Sequence, residues 1–121
     1  MNITTQKLIL ELNTHNNHEY ELNLIKAVTG LNVKHVLGCY KGIKNNAYIV
    51  EIHNNTQFKL VMSLAHSFKQ ESVLYIDSNG FASLEYMNGS NTPLGLFKLV
   101  LDPSSLDAYT IDPITGLAYA A

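Results

Sequence analysis

Two residues of this 121-residue chain stand out as able to do chemistry. Tyr40 belongs to the segment Val36-Leu37-Gly38-Cys39-Tyr40-Lys41-Gly42, and Glu51 is a carboxylate inside the apolar run Ala47-Tyr48-Ile49-Val50-Glu51-Ile52-His53. Both stretches read as β-strands, joined by a short polar loop centred near Asn45 and Asn46. Antiparallel pairing about that loop sets Tyr40 opposite Glu51, and residues so paired project from one face about 5 Å apart. A phenol and a carboxylate would then share a surface suited to a cationic ligand, which the aromatic ring would also favour. Glu85, in Leu84-Glu85-Tyr86-Met87, is the second candidate carboxylate.

Each candidate has a plainer reading. On pattern alone both glutamates are solvent-facing charges on an exposed sheet face. Two features argue otherwise for Glu51: its neighbours are strongly apolar, and the face it occupies needs a cover. A carboxylate in such a place requires a donor or a cation. Other chemistries have less support. His15, His18, His35, His53 and His66 are scattered over loop, strand and helix and repeat no metal-ligand spacing. Cys39 is the only cysteine, so an intrachain disulfide and a thiolate cluster are excluded, and a lone strand cysteine is a small core hydrophobe. No nucleophile elbow and no Gly-rich phosphate loop is present, and Gly38, Gly42 and Gly80 each have a turn or close-approach explanation.

The bulk numbers narrow the partners. The length fits one domain, 1–121, and charged residues are sparse at 15%, which suggests that part of the surface is covered by self-association. The net charge of −2 and the scattered Lys residues offer no basic patch for a phosphate backbone, so nucleic-acid binding is disfavoured. No apolar run approaches the ~20 residues of a membrane span, and the N-terminus lacks an apolar signal core. The expectation is a soluble cytoplasmic protein.

The elements that must position these residues follow from periodicity. Gln6 to Leu12 alternates as a strand. Asn16 suits an N-cap, with Glu19 three residues on, and Tyr20, Leu24, Ile25 and Val28 recur at helical spacing up to a stop at Gly30. The two arms of the hairpin come next, with Tyr48, Val50 and Ile52 on the face packed under helices and Ile49, Glu51 and His53 on the other. Phe58, Val61, Met62, Ala65 and Phe68 mark the clearest amphipathic helix. Strands are expected over 72–77, 81–87 and 96–101, with a loop over 88–92 and a last hairpin over 107–119. Strand, helix, two strands, helix, strand is the βαββαβ order of the ferredoxin-like fold: an α+β antiparallel sheet with two helices on one face, here with extra C-terminal strands. Its open face would be covered by a second subunit.

The ordered series of residues also resembles a known family. Leu37-Gly38-Cys39-Tyr40-Lys41 resembles the Gly-Cys-Tyr-basic segment of the phage S-adenosylmethionine lyases, formerly described as S-adenosylmethionine hydrolases. The similarity continues through Leu64-Ala65, Gln70-Glu71-Ser72-Val73-Leu74-Tyr75, Ala82-Ser83-Leu84-Glu85-Tyr86-Met87-Asn88-Gly89, Tyr109-Thr110-Ile111-Asp112 and Gly116. The resemblance implies a PII-like homotrimer of ferredoxin-like subunits with active sites between them. It implies cofactor-free cleavage of S-adenosylmethionine to 5′-methylthioadenosine and homoserine lactone, and an anti-restriction role in the host cytoplasm for a phage product. Tyr40 matches the family's tyrosine and Glu51 its glutamate, with Glu85 the fallback. Gly38, Cys39, Tyr86 and Met87 are the expected neighbours of adenine. The rivals are hydrolysis to homoserine, a non-enzymatic trimer that senses an adenine ligand, and a protein that blocks a host enzyme by contact.

Overall fold

Alternation along the strands sorts side chains to two faces. The computed structural model describes residues 5–12 and 17–121. Its elements are β1 (Gln6–Leu10), α1 (His18–Thr29), β2 (Val33–Tyr40), β3 (Ile43–Ile52), α2 (Asn55–Ser67), β4 (Ser72–Ile76), β5 (Phe81–Tyr86), β6 (Asn91–Leu96), β7 (Lys98–Val100), β8 (Ala108–Ile111) and β9 (Ala118–Ala120). A 3-10 turn at Pro103–Ser105 separates β7 from β8.

The strands form one antiparallel sheet in the order β6-β5-β4-β1-β3-β2-β8-β9-β7. Its outermost strands, β6 and β7, are separated in sequence by Phe97 alone, so the sheet must curl until its two edges nearly meet. The result is a nearly closed, barrel-like sheet of nine strands with two helices outside. This corrects the expected ferredoxin-like architecture. The order of the first six elements is as read, but strands added at both edges accumulate twist and turn the supposedly open face into an interior. The expected strand over 96–101 is two strands broken at Phe97, and residues 91–92, expected in a loop, begin β6.

On the outer face Leu8 and Leu10 of β1 stand opposite Val50 and Tyr48 of β3. They pack with Ile25 of α1, with Val61, Leu64 and Ala65 of α2, and with Val73 of β4. Tyr48, Val50 and Ile52 thus lie beneath the helices, as alternation predicts. The interior face carries a second cluster, Ile9, Val36, Ala47, Ile76 and Ala82, with Ile49, Leu74 and Phe97 against it. Helix α2 turns the expected face inward. Helix α1 does so only in part: Ile25 is buried, but Tyr20 and Val28 are half exposed and Glu21 is buried instead. The N-cap of α1 is Asn17, whose side chain accepts from the Tyr20 N–H, and not Asn16, which lies outside the described residues, as does His15. Gly30, in the left-handed region at φ 68°, ends the helix as expected.

The largest correction concerns the register of the β2–β3 hairpin. Tyr40 pairs with Ile43, Gly38 with Asn45 and Val33 with Val50. The turn is Lys41-Gly42, both at positive φ (48° and 83°), the signature of a two-residue type I′ hairpin. Asn45 and Asn46, read as loop, are paired strand residues. Glu51 instead lies level with Asn32, whose carbonyl accepts from the Glu51 N–H at 3.1 Å. Tyr40 is therefore eight positions further along β2, about 26 Å in an extended strand.

Candidate functional site

Glu51 owes its surroundings to its place on β3. Its two strand neighbours Val50 and Ile52 point to the helices, so Glu51 points to the interior side, opposite Lys7 of β1. There it lines a cavity of about 720 Å³ together with Lys7, Lys34, Asp112, Phe97 and Tyr119. The Lys34 ammonium bonds the Asp112 carboxylate at 2.5 Å, and so that cation and that anion answer each other. Asp112 is buried and also accepts from the Ile114 N–H at 2.9 Å, which shapes the turn between β8 and β9. The hydrogen bond from Lys34, more than the backbone donors of that turn, holds its carboxyl below the usual aspartate range against the opposing effect of burial. The rings of Phe97 and Tyr119 stack at 6.0 Å, which ties the β6–β7 junction to β9 and gives the cavity an aromatic wall.

Among the described residues, no side-chain hydrogen bond or ion pair engages Glu51. Glu51 is thus a half-buried carboxylate on the wall of a mixed cavity, where Lys7, Lys26 and Lys34 stand among aliphatic and aromatic side chains, and a carboxylate so placed can accept hydrogen bonds from a cationic ligand. None of the other predicted site residues lines this cavity.

They lie toward the other end of the sheet. Tyr40 is 59% exposed beside the hairpin turn, with the Lys41 ammonium 5.4 Å from its ring centre. Gly38 sits between Asn45 of β3 and Thr110 of β8. Cys39 is buried between Lys44 and Tyr109. Glu85 stands opposite Val73 and so on the helix side of the sheet, the reverse of Glu51. It accepts from the Ser83 hydroxyl at 2.7 Å. Burial first, then the charges of Asp77 and Glu85, raise the nearby Tyr75 phenol. Tyr86 pairs with Ser72, and Met87 packs on the helix-side core.

One carboxylate was not singled out by the sequence. An ideal Cβ on Gly38 would lie 2.9 Å from Oε1 of Glu11, which follows β1. The side chain of Glu11 therefore occupies the space that a larger residue at 38 would fill. The signal was a glycine inside a strand, which marks a close approach; what approached it was not legible. The Lys34–Asp112 pair was also missed, because its members are 78 positions apart.

The helix side holds its own polar cluster. Tyr48 donates to Glu21 at 2.6 Å, and His35, stacked on His18 at 4.2 Å, meets the Asn46 amide oxygen at 2.8 Å. Burial, then the hydrogen bond to and charge of Glu21, hold the Tyr48 phenol well above the usual tyrosine range. Among the described residues no group of three or more His, Cys, Asp or Glu could hold a metal ion, and no helix is long and apolar enough to cross a membrane.

Residues 5–121 match the S-adenosylmethionine lyase family, and the chain belongs to it. It is accordingly an enzyme acting on S-adenosylmethionine. No curated protein matches the chain.

Proposed function

We propose that the reaction is cofactor-free and intramolecular, giving 5′-methylthioadenosine and L-homoserine lactone. The substrate's carboxylate oxygen forms a bond to its own γ-carbon as the bond from that carbon to sulfur breaks. The electron pair goes to sulfur, which leaves as a neutral thioether. No proton moves and no enzymatic nucleophile is consumed. The enzyme's task is to bring oxygen, carbon and sulfur into line and to strip water from the carboxylate. Alignment of that kind is worth up to about 7–11 kcal/mol in favourable intramolecular cases.

The observation that carries this reading is Glu51, without a side-chain partner among the described residues, in a cavity of about 720 Å³, within the ~300–1,000 Å³ usual for ligand sites. Glu51 grips the substrate's ammonium or balances its sulfonium, and Tyr40 orients the substrate by hydrogen bond. Given the register, these two residues of one chain do not reach one substrate. The active site is therefore assembled between subunits of a homotrimer: Glu51 comes from one copy and Tyr40 from the next. The backbone near Gly38-Cys39 and the strand Tyr86-Met87 receive adenine, and Glu85 is the reserve carboxylate.

Incubation of purified protein with S-adenosylmethionine, followed by chromatography, tests the chemistry. Methylthioadenosine and lactone should appear together; homoserine before lactone overturns the intramolecular route, and no product at high enzyme concentration overturns the whole reading. Mixing the Tyr40→Phe and Glu51→Gln variants tests the assembly. Each should be inactive alone, and subunit exchange should restore part of the activity, because some sites regain both residues. Inactive mixtures after confirmed exchange exclude the shared site.

A further inference from the structure

We infer that Glu11 is a substrate-binding carboxylate of the site to which Tyr40 contributes, an inference that rests on the proposal that Tyr40 touches the substrate. Three observations converge. The first is position. Leu10 pairs with Tyr48, so Glu11 continues β1 to the level of Ala47, and Ala47 pairs with Val36. Gly38 and Tyr40 follow Val36 at two-residue steps, on the same interior side of the sheet. Tyr40 is thus only about 7 Å along β2 from the glycine on which Glu11 rests.

The second is the floor. Glu11 reaches across β3 to β2 over the two smallest residues available, Ala47 and Gly38. An added Cβ at Gly38 would lie 2.9 Å from Glu11 Oε1 and 3.6 Å from the Ala47 methyl. Nothing about the backbone demands glycine here: position 38 is absent from the residues at positive φ. The glycine accommodates a neighbouring carboxylate. The Glu11 N–H is meanwhile anchored to the Gln70 side chain at 3.1 Å, which fixes the end of β1.

The third is charge. S-adenosylmethionine carries two cationic centres, the sulfonium and the α-ammonium. Glu51 supplies one carboxylate; a second, delivered with Tyr40 from the neighbouring subunit, lets each centre have its own. A neutral phenol alone would leave one of them without a counter-charge in a space that excludes water.

The experiment compares Glu11→Gln and Gly38→Ala with Tyr40→Phe. Gly38→Ala keeps the carboxylate but pushes it aside, because the atom it meets is the far end of a flexible side chain. Both Glu11→Gln and Gly38→Ala should lower kcat/KM for S-adenosylmethionine at least tenfold. Glu11→Gln should bind methylthioadenosine, which has the adenine but no cation, within twofold of the parent. Near-parental kcat/KM in both variants, with Tyr40→Phe inactive, overturns the role of Glu11 and leaves the Tyr40 assignment standing. Full activity in Tyr40→Phe overturns that assignment itself. Loss of methylthioadenosine binding in Glu11→Gln assigns Glu11 to structure alone and overturns the inference.

Discussion

Two glutamates on opposite sides of one sheet have opposite fates. Glu21, from α1, is buried beneath the helices and takes a hydrogen bond from Tyr48 at 2.6 Å. Glu51, from β3, stands on the interior side with no side-chain partner among the described residues. Both acids come from elements with apolar neighbours in sequence, yet among the described residues only Glu21 has a side-chain hydrogen bond. An ionisable group that is answered contributes to the fold; a half-buried one left unanswered is free to meet a ligand. The phenol–carboxylate contact that the sequence suggested for Tyr40 and Glu51 is present in the fold, but between Tyr48 and Glu21.

Substitutions on the two faces should separate stability from turnover. The largest effect belongs to the helix side: Leu8→Ala, at a fully buried position, should cost about 2–5 kcal/mol in denaturant unfolding while activity per folded molecule holds. Glu51→Gln should do the reverse, lowering methylthioadenosine formation roughly 100-fold or more with an unchanged melting temperature. Destabilisation by Glu51→Gln, or persistence of its activity, would erase the contrast between the faces, and the second result would move the role to Glu85.

Tyr48→Phe, which removes the donor to Glu21, should cost about 1–3 kcal/mol near neutral pH and leave the reaction untouched. It also sharpens the contrast at high pH. The folded phenol ionises well above its ordinary 10.0. The parent therefore holds the stability linked to this group below that value and loses it as pH rises beyond it, because the unfolded chain ionises first. The variant should lack that part of the alkaline loss. The smallest effect is expected from Lys34→Met. Asp112 is depressed chiefly by Lys34, so its contribution is present above the ordinary carboxylate range and fades as pH falls through the lowered folded value. Without Lys34 the acid limb of the stability curve should be shallower; an unchanged limb would mean that the turn at Ile114 suffices.

Much of this division could be read from the chain. The alternation Tyr48, Val50, Ile52 against Ile49, Glu51 assigns the faces correctly, since burial follows a two-residue period whatever the partner strand. The spacing in α2 and the cap at Gly30 were equally local. What failed depended on partners. Asn45 and Asn46 are turn-forming residues by type, and they hid the shorter Lys41-Gly42 turn, whose positive φ values set the register. That displaced Tyr40 from Glu51. Tyr20 and Val28 of α1 match the helical period yet remain exposed, because α1 covers the sheet with a narrower stripe than its composition offers. Closure of the sheet was invisible, because no local pattern tells a strand which edge it will join.

Phe97 has a kinetic consequence. It is the single residue through which the chain passes from one edge of the sheet to the other. β1 and β3 have hydrogen-bonded neighbours on both sides, whereas β6 and β7 have one each. Opening along that junction breaks no strand pairing, so it should be the lowest-energy fluctuation of the sheet. In deuterium exchange the amides of β6 and β7 should then lose protection first, ahead of those of β1 and β3.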